Sequence, residues 1–328
     1  MNLSWKLGLS LGGAADPRKL LPTYDAERRL FANRVIRCSG AYLRFICNLD
    51  LPLASLRGLA GDELEEHDED LPLLDGSTDA DRRWMAGFFG RNAMFLIGVD
   101  GARVPTVLSP ASAPSTPAVD GKISGNGNEN RNGNGHVIKN GAEFKGRRPV
   151  SILNGVRAPD PRVCFRSDRM GHLYDAMPGV SKFHILIFGS DLQGPVRQGL
   201  GQLSKAGFGP GGFFERFGGR ERFNVVLVAK VLPPLPTSSS RRVDETEEIL
   251  RGSEMEDLRG EVATVVYDDR QPDEDAHYWY GVNHARGAVV VVRPDLVVGM
   301  SAWPEDVDAI DDYLSGFLIE ASGKRNGN

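Results

Sequence analysis

The sequence AVVVVRPDLVVG at residues 288–299 is the strongest strand signal in the chain. Its first arm, Ala288–Arg293, is apolar at every position before the arginine, which is typical of a strand covered on both faces of a sheet. Pro294-Asp295 is a turn pair, so the stretch predicts a hairpin whose short second strand lies at Val297–Gly299. A closing helix is expected over Glu305–Leu318, because its apolar residues recur at helical spacing.

Two further apolar runs precede this hairpin, FHILIF at Phe183–Phe188 and FNVVLVAKV at Phe223–Val231, and a third strand is predicted at Val262–Tyr267. Helical spacing between the first two strands predicts a helix at Val196–Ala206. Two βα units, then a hairpin, then a final helix is the order of a thioredoxin-like domain. We therefore predict an α/β fold with a thioredoxin-like C-terminal domain at residues 148–328.

Composition narrows the class of protein. Hydrophobic residues make up 41% of the 328 residues and the net charge is −5, so the chain has material for a core and lacks the basic character of a nucleic-acid binder. No apolar run is long enough to span a membrane. No CxxC pair is present, so we expect no redox motif, no disulfide framework and no zinc site, and a cytoplasmic location. The three cysteines are Cys38, Cys47 and Cys164.

The N-terminal part is predicted to be helical. A first helix is expected over residues 2–11, and a longer one from about Thr23 to Leu49, with Asp25 and Glu27 in its first turn. The long helix carries one apolar stripe at alternating spacings of four and three residues, for which the neighbouring sequence offers few packing partners. The stripe consists of Phe31, Val35, Cys38, Tyr42, Phe45 and Leu49.

Two polar segments divide the chain. The acidic run at 62–70, which contains His67, is expected to be solvated. In SGNGNENRNGNG at 124–135, 9 of 12 residues are Gly or Asn, so the segment has little to bury and predicts disorder. The resulting domains are a helical part at 1–106, a disordered Gly/Asn-rich linker at 107–147 and the α/β part at 148–328.

Motifs for nucleotide chemistry are weak. Gly207, Gly209 and Gly212 match GxGxxG by letter, but a predicted helix precedes them in place of a strand, and Pro210 interrupts the loop. We interpret the segment as a glycine-rich surface loop. Neither the P-loop pattern nor the GxSxG nucleophile pattern is present.

The histidines and aromatic residues near residue 280 are the other candidate functional residues. His277 and His284 lie beside Glu274 and Asp275, but neither spacing fits a common metal-ligand pair. HYWYG at 277–281 places three aromatics together, for which packing in a core or an interface is the favoured use and ligand stacking the alternative. The sequence therefore assigns no catalytic, cofactor-binding or metal-binding residue.

The N-terminal segments resemble a known family. NLSWKL at 2–7, Ala15-Asp16-Pro17 and LLPTYDAERR at 20–29 are similar to the late flavin-domain region of FAD-dependent aromatic hydroxylases, in which an NLAWKL helix is followed by a YExER helix. The C-terminal part resembles the dimerisation domain of phenol 2-monooxygenase. The matching stretches there are NGVRAP at 154–159 for PGxRxP, FHILIF at 183–188 for FRILVF, YGV at 280–282, and VVRPD at 291–295 with Val298-Gly299 for VVRPDGYVG.

The resemblance departs from the family pattern at two places, Asn154 for proline and Leu296-Val297 for Gly-Tyr. It implies a thioredoxin-like domain that lacks redox cysteines and makes dimer contacts, preceded by a helical remnant of a flavin-binding domain. The family uses FAD and NADPH to hydroxylate phenols, and its FAD fingerprint and phenol-binding residues lie upstream of the NLAWKL helix. The chain is therefore expected to be a truncated member, inactive alone, that binds neither cofactor tightly.

The resemblance also implies a homodimer, while the net charge and the lack of a long apolar run predict no nucleic-acid or membrane partner. We expect residues 150–320 to dimerise without the N-terminal segment, which is expected to be frayed. Apolar material for the contact is expected from Tyr278, Trp279, Tyr280 and Trp303. The alternative function is a non-catalytic thioredoxin-like dimerisation or binding module.

Overall fold

A computed structural model of the chain describes most of its predicted elements. The described residues are 2–47, 77–98, 105–112, 149–165, 169–179, 181–190, 192, 194–230, 247–268 and 275–321. The acidic run at 62–70 with His67, the Gly/Asn-rich stretch at 124–135, Leu49 and Glu274 lie outside them.

The described residues of the N-terminal half form four helices: α1 at Asn2–Leu11, α2 at Pro17–Leu20, α3 at Pro22–Cys47 and α4 at Asp79–Leu96. Asp16 caps α2 by accepting a hydrogen bond from the Arg18 N–H, and Pro17 takes the first helical position, where a missing N–H costs nothing. Thr78 and Asp81 form a reciprocal capping box at the start of α4.

Seven strands and six helices of the C-terminal half are named as follows. The strands are β1 at Arg162–Phe165, β2 at Met170–His172, β3 at Phe183–Ser190, β4 at Phe223–Lys230, β5 at Val262–Asp268, β6 at Ala288–Val292 and β7 at Val298–Ala302. The helices are α5 at Val196–Leu203, α6 at Phe213–Arg216, α7 at Gly219–Arg222, α8 at Glu256–Glu261, α9 at Ala276–Tyr280 and α10 at Val307–Ser315.

The strands form one mixed sheet in the order β2-β1-β5-β4-β3-β6-β7. β4 is parallel to both β3 and β5, whereas β6 runs antiparallel to β3 and to β7. Three parallel strands, an antiparallel hairpin and a closing helix follow one another along the chain and confirm the predicted thioredoxin-like fold. In the predicted hairpin, the Arg293 N–H donates to the Val297 carbonyl at 2.8 Å.

Both faces of the sheet are covered, as the continuous apolar runs predicted. Every residue of β3 is buried. Phe183, Ile185 and Ile187 face a core layer that includes α5 and α10, while Leu186 and Phe188 face a second layer beneath α9. Truncating a buried leucine or isoleucine to alanine lowers the free energy of unfolding by roughly 2–5 kcal/mol. Such a loss at one of these β3 positions is a large fraction of the stability of a domain.

The N-terminal helices share the first of these two core layers. Trp5 of α1 is 4% exposed and meets the Phe183 ring edge-on, with the ring centroids 5.6 Å apart. Leu20 and Leu108 are fully buried in the same layer, and Ala15 forms a β-bridge with Leu318. The start of the chain is therefore packed onto the sheet, and the expectation that this segment is frayed is not met. The first residues of the expected linker at 107–147 also belong to the fold.

The apolar stripe of α3 has a partner that the sequence analysis did not identify. Phe31, Cys38 and Phe45 pack against α4, where they meet Phe88 and Phe95 in a small separate core. The rings of Phe31 and Phe95 are 5.2 Å apart. The stripe is only half covered, because Val35 and Tyr42 remain 40% and 46% exposed.

Candidate functional site

The carboxyl ends of the three parallel strands meet at one edge of the sheet. β3 ends at Ser190, β4 at Lys230 and β5 at Asp268. Ligands of open α/β sheets bind outside such carboxyl ends, so this edge is the first place to look for a site. Helix α9 lies across the edge and adds Asp275 and His277. We refer to these five residues as the carboxyl-edge cluster.

Asp268 organises the cluster. Its carboxylate accepts the backbone N–H groups of Ala276 and His277, each at 2.9 Å, and the Nδ1–H of His277 at 2.6 Å. Burial by itself raises the pKa of Asp268, but the hydrogen bonds from His277 and Ala276 outweigh it, and the pKa is lower than usual. The ionised carboxylate therefore fixes the proton of His277 on Nδ1.

The other ring nitrogen of His277 is also engaged. The Ser190 N–H donates to Nε2 at 3.1 Å, and Ser190 has a φ of +46°, an uncommon backbone conformation for serine. Aspartate, histidine and serine thus follow each other as in a hydrolytic triad, but the serine presents its amide and not its hydroxyl to the imidazole. All three residues are fully buried. The arrangement can hold the β3–α5 connection in place, but it offers a substrate no nucleophile.

The acidic members of the cluster do not form a convincing metal site. Ligand atoms of Asp268, Asp275 and His277 lie within 4.8 Å of one another. The Lys230 ammonium pairs with Asp275, however, and both nitrogens of His277 already have partners. The cluster carries its own cation, so the donor set does not fit an added metal ion.

The two histidines that the sequence analysis considered do meet. The rings of His277 and His284 stack with centroids 5.4 Å apart and planes 18° apart. Desolvation lowers the pKa of His284 from its ordinary value, and the neighbouring His277 and Lys230 lower it further. This contact adds a neutral ring over the cluster and brings no further ligand.

The glycine-rich segment at 207–212 is not the surface loop that we predicted. Gly207, Gly209 and Gly212 are buried, and Gly207 lies within a π-helical turn at Ser204–Phe208. A Cβ at Gly207 would lie 2.6 Å from the Phe213 ring, and one at Gly212 would lie 2.4 Å from the Gly207 carbonyl oxygen. The glycines are needed because the segment packs on itself. In the part of the chain that the structure describes, this loop therefore offers no cradle that fits the pyrophosphate of FAD.

The aromatics near residue 280 divide into two pairs. Tyr280 is fully buried and its hydroxyl donates to the Pro159 carbonyl at 2.9 Å, while Trp303 is 5% exposed. These two residues belong to the core. Tyr278 and Trp279 are 61% and 54% exposed, so only this pair is available for an interface.

A second buried polar cluster joins distant parts of the chain. Arg293 donates to Glu27 at 2.6 and 3.1 Å and to Asp295 at 3.0 and 2.7 Å, and Lys6 donates to Glu27 at 2.9 Å. We call Lys6, Glu27, Arg293 and Asp295 the ionic latch. Asn2 and Ser109 complete it with hydrogen bonds to Glu27 and from Arg293, at 2.8 and 3.1 Å.

The charges of the latch are balanced and mutually stabilised. Burial raises the pKa of Glu27, yet Arg293 and Lys6 lower it from 4.5 to about 2. Burial lowers the pKa of Lys6, and Glu27 offsets part of that effect. No role for these residues was predicted from the sequence. Lys6, Glu27 and Arg293 do lie in three of the stretches that carry the family resemblance, at 2–7, 20–29 and 291–295.

Comparison with known proteins agrees with this resemblance. A family model described as "Phenol hydroxylase, C-terminal dimerisation domain" matches residues 151–322, just over half of the chain. A curated "FAD-dependent monooxygenase" from Aspergillus terreus is 53% identical over 319 residues. That match covers 97% of this chain and 39% of the relative, so the chain spans well under half of the relative's length.

Two solved structures are also similar to the chain. The flavin-dependent monooxygenase PieE in complex with FAD and substrate aligns with a TM-score of 0.38 at 16% identity, over 96% of this chain and 42% of that chain. A putative protein disulfide isomerase from Bacteroides thetaiotaomicron aligns with a TM-score of 0.35 at 12% identity, over 51% of this chain and 94% of that one. Within the described ranges, no helix combines the length and apolar character needed to cross a membrane.

Proposed function

The chain belongs to the phenol hydroxylase C-terminal dimerisation family, and we propose that it is the C-terminal portion of an FAD- and NADPH-dependent monooxygenase of phenolic compounds. The observation that carries the proposal is the family match over 151–322 together with 53% identity to a monooxygenase that is much longer than the matched part. In such a protein the thioredoxin-like domain serves assembly, and the part of the longer protein that this chain does not cover carries out the hydroxylation.

Alone, this chain binds FAD weakly and does not hydroxylate phenols. Two features of the described residues support the proposal. The GxGxxG-like segment is packed against its own backbone, and at the carboxyl edge of the sheet Lys230 pairs with Asp275 while Asp268 pairs with His277. Each charged side chain of the carboxyl-edge cluster therefore already has a partner, and none is left to hold a cofactor or substrate.

We also propose a three-part organisation, with a helical part at 1–106, a linker within 107–147 and the dimerisation domain at 148–328, in a cytoplasmic homodimer. The ionic latch and the shared core connect the first part to the third. A self-standing dimerisation or binding module is the second candidate. Two observations favour this module. The charged side chains at the carboxyl edge are paired with one another, and the described residues of β3 and α5 include no cysteine.

A purified sample of the full chain tests the first proposal. We expect no flavin absorbance after FAD is added and excess is removed, and no phenol-dependent consumption of NADPH or oxygen. Stoichiometric bound FAD would overturn the proposal that the part of the monooxygenase outside this chain binds the cofactor. An immunoblot of the source cells then separates the two candidates. A single band much longer than 328 residues supports the monooxygenase, and a band at this length supports the self-standing module.

A further inference from the structure

One pair of exposed aromatics stands out in the matched dimerisation domain. Among its described residues, four large hydrophobic side chains are more than a third exposed: Met170 at 43%, Ile319 at 44%, Tyr278 at 61% and Trp279 at 54%. Only Tyr278 and Trp279 are adjacent in sequence. Tyrosine and tryptophan are also the residues most enriched among the hot spots of protein interfaces.

The helix that carries this pair is held rigidly. Asp275 caps α9 by accepting the Tyr278 N–H at 2.6 Å, and Asp268 accepts the two preceding N–H groups. At the other end, Gly281 has a φ of +62° and lies against Ser151, where a Cβ would collide. Such anchoring fixes the backbone that carries the two rings, which reduces the backbone entropy lost on binding.

We propose that Tyr278 and Trp279 are the anchor of the two-fold contact between two copies of this chain. The inference rests on the homodimer of the proposed function and names the surface that forms it. Near a two-fold axis, each group lies close to the same group of the second copy. An unpaired charge there would face a like charge, so an anchor close to the axis has to lie away from unpaired charges. The charges beneath α9 meet this condition, because Lys230 neutralises Asp275, and Asp268 is buried and accepts three hydrogen bonds.

Area sets what else the contact needs. A tyrosine and a tryptophan each bury roughly 150–250 Å² when fully covered, and these two are already about half covered. The pair therefore supplies on the order of 200 Å² of the roughly 800 Å² per partner in a stable interface. The segment at 149–159 lies next to α9, since the Ser151 N–H donates to the Gly281 carbonyl at 3.0 Å and the Pro159 carbonyl accepts from Tyr280, and Ser151 and Arg157 are its exposed residues.

The exposed face of α3 and α4 is the competing surface. Ile36, Ile46 and Ile97 are 55%, 56% and 69% exposed there. This face lies outside residues 151–322, whereas α9 lies within them, and the matched family is described as a dimerisation domain. We therefore assign the second copy to α9.

Sedimentation equilibrium of the full chain over a wide concentration range tests the assignment. The variant Tyr278→Ser/Trp279→Ser loses two anchors from each copy, and we expect the dimer Kd to rise at least about a hundredfold. The matched control Met170→Ser/Ile319→Ser removes the other two exposed apolar side chains of the domain, and should change Kd less than about threefold. Both variants should keep the far-UV circular dichroism of the parent chain, because all four side chains are exposed.

The outcomes separate this inference from the proposed function. A monomeric parent chain overturns both the homodimer and its anchor. A dimeric parent whose Tyr278→Ser/Trp279→Ser variant dimerises unchanged overturns the anchor and leaves the homodimer standing. Loss of the dimer in Ile36→Ser/Ile97→Ser, with the α9 variant unaffected, moves the interface to α3 and α4 and also overturns the anchor.

Discussion

Replacing Glu27 by glutamine tests whether the ionic latch holds the N-terminal helices on the sheet. The glutamine keeps the shape of the side chain but leaves Arg293 and Lys6 with Asp295 as their only acidic partner in the latch. Removing one partner of a buried ion pair costs about 3–5 kcal/mol, because the remaining charge stays buried without compensation. We therefore expect the free energy of unfolding to fall by about 3 kcal/mol.

The pKa of Glu27 gives an independent magnitude. Folding lowers it from 4.5 to about 2. At about 1.4 kcal/mol for each tenfold change in proton affinity, this lowering is worth roughly 3 kcal/mol. A lowered carboxyl pKa stabilises the fold above the unfolded value, so the contribution is complete above about pH 5 and is lost as the pH falls from there toward 2. The difference in stability between the parent chain and Glu27→Gln should therefore shrink over that range.

Urea unfolding followed by tryptophan fluorescence measures the effect, since Trp5 lies beside the latch with Arg293 5.6 Å from its ring. Asp25→Asn is the matched control. Asp25 lies in the same turn of α3 and pairs with Arg29 at 3.3 Å, but its side chain is 71% exposed, and the expected change is within about 0.5 kcal/mol. A loss below about 1 kcal/mol for Glu27→Gln at neutral pH, or a loss equal to that of the control, would refute the reasoning.

Three further predictions concern packing and the carboxyl edge. His277→Ala should destabilise the chain by about 2–4 kcal/mol in urea, because the buried Asp268 and the Ser190 N–H both lose their partner; a loss no larger than that of His284→Ala would contradict this. Gly212→Ala should lower the free energy of unfolding by about 1–3 kcal/mol, because its Cβ would collide with backbone atoms. The control Gly260→Ala in α8 has open space around its Cβ and should be neutral or stabilising. Thermal unfolding compares the two variants, and equal Tm values would contradict the prediction. Deleting residues 1–30 removes Trp5 and Leu20 from the first core layer, so the shortened chain should bind a hydrophobic dye and lose solubility. An unchanged Tm would show that the N-terminal helices are dispensable for stability.

The strands of the C-terminal half could be predicted from sequence because their signals are local. A run such as FHILIF is apolar at nearly every position, and only a strand covered on both faces buries it all. Pro294-Asp295 marks the turn between β6 and β7 in the same local way. Once these elements were placed in order, the thioredoxin-like topology followed, because few arrangements of two βα units and a hairpin are allowed.

The sites could not be predicted in the same way. In sequence, Lys6, Glu27 and Arg293 each resemble an ordinary solvated charge, and nothing local indicates that they are buried. A buried charge is tolerated only with a partner, and here Arg293 finds Glu27 across 266 positions of chain. The pairing of His277 with Asp268 and Ser190 likewise exists only because three parallel strands end at one edge.

The family resemblance and the tertiary structure therefore hold different information about the same residues. The sequence by itself determined the main strands and their succession along the chain, the closing helix and the kinship with aromatic hydroxylases, since these depend on apolar periodicity and on short motifs. Only the tertiary structure decided that three of those motifs meet in one ionic latch, that α4 covers α3, and that Tyr278 and Trp279 are exposed while Tyr280 is buried. Burial depends on what the rest of the chain brings to a residue, and no local pattern contains that information.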